Sequence, residues 1–266
     1  MRQFLTPVRV TWLHRANPAA KLGMILLLFL LTLFTHSLDF IAYQALAIFL
    51  VLFLMSGHPP WKIMLLTLPL LLVFVSSSIT MILFGKGDTL WWKWGMIRIS
   101  EESFYRGIHI GFKSVTFAAE GLLYVLTSSS VALFYALMQK VKLAPKYAYS
   151  FMASVRLLPM VWEEFQIRRN ALQIRGVRHS RGIRGWIEQA KLYAVPLLSQ
   201  SIRRAHRVAI AMEAKAFHHS RRRTYYYTSV FTRFDLLLLL LLAAALAAAY
   251  SLSVLFPLFG ITDVRY

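Results

Sequence analysis

The sequence predicts an all-α integral membrane protein of about five transmembrane helices, with a cytoplasmic set of amphipathic helices between the fourth and the fifth. Three observations predict it. Of the 266 residues, 58% are hydrophobic and 15% charged, and a mean hydropathy of +0.56 is too high for an ordinary soluble domain. The apolar residues lie in uninterrupted blocks bounded by charges, Pro or Gly, the pattern of membrane spans. The 30 Lys and Arg outnumber the 11 Asp and Glu, a formal net charge of +19, and most of that excess falls in one segment. The absence of Cys excludes disulfides, thiolate metal sites, a Cys nucleophile and iron–sulfur ligation, and leaves the redox compartment open.

The first block, Leu22 to Ser37, follows Arg2, Arg9, Arg15 and Lys21. That order imitates a signal peptide, but no small-x-small cleavage site follows at Phe34-Thr35-His36-Ser37, so the block is expected to be a retained span. Phe40 to Gly57 is the second, joined to the first by a tight turn at Leu38-Asp39. The third, Ile63 to Phe84, carries Pro69, which lipid-embedded helices tolerate when neighbours or Ser side chains satisfy the freed carbonyl.

Gly107 to Ser128 is the fourth, although it holds His109, Lys113 and Glu120. An ionised group near the bilayer centre costs several kcal/mol, so these side chains are expected to face the bundle. Lys113 and Glu120 stand two helical turns apart on one face. A structural role, paired with each other or near the interface, outweighs an ion or proton relay, since nothing else in the chain extends one. The last block, Leu236 to Phe256, has no ionisable side chain and is long enough to cross a hydrocarbon core of about 30 Å.

Charge orients these blocks, because Lys and Arg near span ends stay on the cytoplasmic side. Between Met138 and Arg233 stand 19 Lys and Arg against four acids, Glu163, Glu164, Glu188 and Glu213. This segment is therefore expected inside. The basic N-terminus is expected inside too, which requires an even number of spans between them; the fifth then carries the tail, Pro257 to Tyr266, outside. The domain reading is residues 1–128 as a membrane bundle, 129–234 as a cytoplasmic helical region, and 235–266 as the final span and a short external tail.

The basic segment lacks strand alternation and reads as consecutive helices. One begins at Pro159, with Glu163 and Glu164 early, Arg168, Arg169 and Arg175 late, and Gly176 as a stop, the order the helix dipole favours. Its apolar stripe is Met160, Ile167, Ala171 and Ile174. A second begins at Pro196 with a seam of Leu198, Ile202, Ala205, Ala209, Met212 and Ala216. Each ends in a cation beside a small residue, Arg175-Gly176 and Lys215-Ala216. His218, His219, Arg221, Arg222 and Arg223 read as a juxtamembrane flank. Ordinary positive-inside flanks holding anionic lipid would explain the charge alone, but not two amphipathic helices with matching ends.

The runs Ser154-Val155-Arg156-Leu157-Leu158-Pro159, Asn170-Ala171-Leu172-Gln173-Ile174-Arg175-Gly176, Pro196-Leu197-Leu198 with Ser201, Arg203, Arg204 and Ala205, and Ala211-Met212-Glu213-Ala214-Lys215-Ala216-Phe217 resemble the T component of energy-coupling factor transporters. The resemblance covers most of the chain. It implies a membrane scaffold, not an enzyme, that joins two cytoplasmic ABC-type ATPases to a membrane S component, which captures a vitamin or a metal ion; a thiamine precursor is one candidate cargo. It further implies a bacterial cell membrane, no cofactor on this chain, and ATP with magnesium in the partner ATPases. Ile174, Arg175 and Gly176 fit the family's first Ala-Arg-Gly-like docking motif apart from Ile for Ala. Ala214, Lys215 and Ala216 depart from the second at two of three positions, and Lys loses the planar fork of Arg. Arg156, Pro159, Ala171, Arg203, Arg204, Met212 and Glu213 are the supporting positions.

In agreement with a subunit powered from outside, the chain has no Gly-x-x-x-x-Gly-Lys-Ser/Thr loop and no acidic cluster for magnesium. A membrane-embedded enzyme is disfavoured because His218 and His219 are adjacent and lack a His-Glu-x-x-His pattern, and Ser76 to Ser78 and Ser128 to Ser130 read as packing or span-end residues. Nucleic-acid binding is disfavoured because membrane flanks explain the basic and aromatic residues around Arg223, Tyr225, Tyr226 and Tyr227. A self-contained permease would distribute polar residues through several spans, and most of these spans are nearly free of them.

Overall fold

A computed structural model of the chain describes residues 7–85, 87, 89–94, 97–176, 182–217 and 224–260. It is an all-α membrane protein. In chain order the elements are α1 (Trp12–Arg15), α2 (Pro18–Phe34), α3 (Leu38–Met55), α4 (Pro60–Phe84), a hairpin of β1 (Leu90–Trp94) and β2 (Ile97–Ser100), α5 (Glu101–Thr127), α6 (Ser130–Lys140), α7 (Pro145–Ile174), α8 (Ile183–Ala214) and α9 (Arg233–Leu255). Two compact units result. Residues 1–136 with 229–266 form one, and 137–228 form the other.

Among the described residues α3, α4, α5 and α9 are long and apolar enough to cross a membrane. The apolar helix α2 has 17 residues, about 26 Å of axial rise and the low end of what a span needs. The sequence reading left residues 85–106 without an element. Among the described residues of that stretch the structure has the antiparallel strands β1 and β2 and the first turns of α5.

The helix starts follow local chemistry. The Asn17 side chain accepts the Ala19 N–H at 3.0 Å ahead of Pro18, and the Ser37 hydroxyl accepts the Phe40 N–H at 3.3 Å. α3 is the innermost helix, with Leu38, Ile41, Ile48 and Leu52 buried against α5 and α9. By contrast α4 shows most of its length outward and is buried at Ile63 and Ser78, as a helix at the bundle's rim facing lipid should be. α9 is tied at both ends: Asp235 accepts the Asn17 N–H at 2.6 Å and the Thr232 N–H at 2.7 Å, while Asp39 accepts the Leu258 and Phe259 N–H groups at 3.0 and 2.8 Å. Lys21, only 1% exposed, donates to the Thr127 carbonyl at 2.7 Å and so caps the end of α5.

Of the two structural roles expected for Lys113 and Glu120, the mutual pair does not form. The Lys113 ammonium donates instead to the Leu33 carbonyl at 2.9 Å, at the open C-terminal turn of α2 where a cation is favoured. Glu120, 1% exposed, stands 3.5 Å from the Thr32 hydroxyl. That hydroxyl donates to Leu28 O at 2.9 Å and accepts from Gln44 Nε2 at 2.6 Å. The buried polar contacts thus knit α2, α3 and α5 together rather than running along α5.

Residues before α1 dock on the turn between α3 and α4. The Gly57 carbonyl accepts the Val8 and Arg9 N–H groups at 3.1 Å each. Gly57 takes φ +71, and a Cβ there would strike the Arg9 carbonyl, so only glycine serves. His14 and His58 lie at this corner. Burial, then the charges of Lys21 and His58, lower the His14 imidazole, and burial, then Lys62, lower that of His58. Both imidazoles bind fewer protons folded than unfolded, so their neutral form supports the fold above the ordinary imidazole value and that support is lost as pH falls below it. Thermal unfolding in detergent is expected at lower temperature at pH 5.5 than at pH 7.5, and His14→Gln with His58→Gln should flatten that difference. An unflattened pH profile in the double variant would contradict the assignment.

Candidate functional site

The basic segment is built on two helices longer than the sequence reading made them. α7 has 30 residues and α8 has 32, and Pro159 and Pro196, expected at helix starts, lie inside them. The true starts are Pro145 behind Ala144, and Ile183 behind Gly182, which takes φ +97. No Gly lies between Pro145 and Pro159, or between Gly185 and Pro196, to stop the propagating helix, and one lost hydrogen bond at an inner proline does not break a helix already nucleated on both sides.

Contacts between α7 and α8 run in opposite chain directions. Tyr149 meets Phe217 with ring centroids 5.5 Å apart, Glu164 ion-pairs with Arg204, and Phe165 meets Tyr193 at 5.1 Å. Arg204 also points at Met160 Sδ, 3.8 Å away, whereas Arg203 turns along its own helix to Ser199 Oγ at 3.0 Å. The pair is antiparallel. Phe217 therefore lies near the start of α7, and Arg175 lies 26 residues beyond Tyr149, about 39 Å of helix away. The structure does not bring the two motifs together; it sets them at opposite ends of one helical pair.

The two ends share one backbone geometry. Arg175 (φ −75, ψ 2) donates its N–H to Ala171 O at 3.1 Å, and Gly176, at φ +66, donates to Gln173 O at 3.0 Å. Lys215 (φ −85, ψ 11) donates to Ala211 O at 3.3 Å, and Ala216, at φ +52, to Glu213 O at 2.8 Å. Phe217 closes the second end with its N–H on Met212 O at 3.0 Å. Ala216 thus occupies the left-handed region that Gly176 enters without a Cβ, at a cost of about 1 kcal/mol. The replacement of Gly by Ala leaves the helix end intact.

Ile174, Arg175, Gly176, Ala214, Lys215 and Ala216 are all exposed, as are Arg156, Arg203 and Glu213. Pro159, Ala171, Arg204 and Met212 are partly buried. The apolar stripes do not bury themselves within the chain: Ile174 is 87% exposed, and Ile167, Leu198 and Ile202 are also open. His218, His219, Arg221, Arg222 and Arg223 lie outside the described residues.

Long apolar helices in one unit and an antiparallel, basic-ended helix pair in the other define the class: a helical integral membrane protein. The model of the family described as "CbiQ: Cobalt transport protein" matches residues 9–226, so the chain belongs to that family, the membrane components of energy-coupling factor transporters. Among proteins called energy-coupling factor transporter transmembrane protein EcfT, that of Ruminiclostridium cellulolyticum is 29% identical over 237 residues, 84% of this chain and 86% of the relative. The Brevibacillus brevis protein is 28% identical, covering 78% of this chain and 81% of its own length. That of Exiguobacterium sibiricum is 28% identical over 85% and 88%.

Two features escaped the sequence reading although signals for them exist. Gly107 and Gly111, at i and i+4, form a small-xxx-small step on α5 where α4 packs closely. Trp91 and Trp92 with the basic residues around them belong to the hairpin.

Proposed function

We propose that this chain couples ATP hydrolysis by two partner ABC-type ATPases to movement of a membrane S component, which takes up a vitamin or a metal ion. The observation that carries this reading is the pair of congruent, exposed, cation-bearing helix ends held far apart by α7 and α8. Docking ends set at opposite extremes of one helical pair cannot both meet a single point of one partner, whereas two separate subunits each receive one. Arg175 offers a fork to a partner carboxylate and Lys215 a point charge. Ile174, Gly176, Ala214 and Ala216 let the partner approach the helix ends, and Arg156, Pro159, Ala171, Arg203, Met212 and Glu213 belong to the rods behind them.

The Glu164–Arg204 pair and the Phe165–Tyr193 contact favour the two rods moving as packed bodies, so approach of two ATPases would change the angle between them. The open apolar faces at Ile167, Leu198 and Ile202 are surface that partner subunits would cover. Five spans, an inside N-terminus and an outside C-terminus fit the charge placement, with α2 as the first span. The S component, not this chain, selects the cargo, and a thiamine precursor is one candidate.

Mild solubilisation of the tagged chain should bring down two ATPase polypeptides and one small membrane protein, with ATPase activity in the complex and none in the isolated chain. Uptake into liposomes by this chain alone would overturn the reading in favour of a self-contained permease.

A further inference from the structure

The β1–β2 hairpin is fastened to the ends of the two helices it joins. The Thr89 N–H donates to Glu102 Oε1 at 3.2 Å, the Glu101 N–H to Thr89 O at 3.1 Å, and Ser103 Oγ stands 3.2 Å from the Ile82 carbonyl. β2 runs straight into α5 at Glu101, with the Ser100 hydroxyl accepting the Ser103 N–H at 3.2 Å, and packs on α4. The hairpin is thus held at the C-terminal end of α4 and the N-terminal end of α5. At the other end of α4 stands Trp61, and the helix between has 25 residues, about 37 Å, against a hydrocarbon core of about 30 Å and about 40–45 Å with the headgroups. Trp61 and the hairpin therefore stand at opposite ends of a helix long enough to cross one bilayer.

Trp91 and Trp92 are 58% and 67% exposed, Trp91 with its ring 5.8 Å from that of Phe104. Indoles combine a large apolar body with one N–H, the chemistry enriched at headgroup level. Strand register sets Lys93 opposite Arg98, so two cations accompany the indoles in the hairpin.

We propose that the hairpin is an interfacial anchor whose partner is phospholipid: Trp91 and Trp92 lie in the headgroup layer at the boundary opposite Trp61. By the orientation proposed above this is the outer leaflet, but the depth of the hairpin stands independently of that orientation and of any coupling to ATPases. The anchor fixes the α4–α5 pair, the most tightly packed in the membrane unit, against tilt.

The test uses the full chain reconstituted alone in phosphatidylcholine–phosphatidylglycerol vesicles, with tryptophan kept at 91 and 92 and the other five replaced by Phe. Emission should be blue-shifted, and lipid brominated near the headgroup should quench it at least about twofold more than lipid brominated near the chain end. Should that variant fail to fold, the native chain and its Trp91→Phe, Trp92→Phe variant provide the same readout as a difference: the loss of a shallow-bromine-quenched component. Free quenching by aqueous iodide with no response to brominated lipid would overturn the proposal. So would protection from both quenchers, which would place the indoles under protein.

Discussion

Gly111→Leu is expected to abolish recovery of folded, monodisperse protein. The reason lies in how closely α5 crosses α4. A Cβ on Gly111 overlaps Ser78 Oγ and comes within 2.9 Å of the Phe74 ring edge, and one on Gly107 comes within 2.5 Å of Ile82 Cγ1 and 2.9 Å of the Ser78 carbonyl. In lipid, helix association depends on such close contact, because burying apolar side chains from equally apolar tails gains little. Overpacking a filled contact costs typically about 1–3 kcal/mol, and Leu adds three further carbons beyond the clashing Cβ, so the upper end is expected. Smaller variants separate the two sites. For Gly111→Ala the nearest obstacle is a hydroxyl that Ser78→Ala removes, and the double variant should recover much of the lost thermal stability. For Gly107→Ala a backbone carbonyl is among the obstacles, and Ser78→Ala should not help. A Gly107→Ala protein that melts like the wild type would show that the two helices do not meet as described.

That crossing illustrates which parts of this fold are legible in the sequence. Long uninterrupted apolar runs announce themselves, because a span must be apolar over its whole length whichever neighbours it has; α4 and α9 were readable for that reason. Contacts between spans were not. Lys113 and Glu120 share a face and invite pairing, yet the Leu33 carbonyl and the Thr32–Gln44 pair, on other helices, offer nearer partners. Nothing local to α5 encodes those partners. Prolines misled for a related reason: Pro159 and Pro196 carry the composition of a helix start, but long helices had already propagated past them from Pro145 and Ile183. At the candidate docking ends the cations and small residues were legible, and so was Gly176 as a stop. The equivalence of Ala216 to it was not, because alanine rarely enters the left-handed region and the structure puts it there, at φ +52.

Arg175→Glu is expected to eliminate uptake by the assembled transporter while leaving this chain folded. The side chain is exposed, and the bond that closes the helix at this point, from the Arg175 N–H to the Ala171 carbonyl, is made by backbone alone. Glu in the last turn opposes the helix dipole by about 0.3–1 kcal/mol, a cost that Arg175→Gln avoids, so a loss of uptake shared by Arg175→Gln assigns the effect to the missing cation and not to helix fraying. Reversing one partner of an interfacial charge pair costs about 3 kcal/mol, roughly a hundredfold in affinity. Because Lys215 sits at the far end of the helical pair, Arg175→Glu should weaken capture of one ATPase and spare the other, giving complexes with a single ATPase in native mass spectrometry. Lys215→Glu should produce the complementary single-ATPase species, with a smaller loss because a point charge is replaced rather than a fork. The double variant should retain neither ATPase. Two ATPases held as tightly by the double variant as by the native chain would mean that the helix ends are not the grip, and normal uptake by Arg175→Glu would remove the residue from the coupling path.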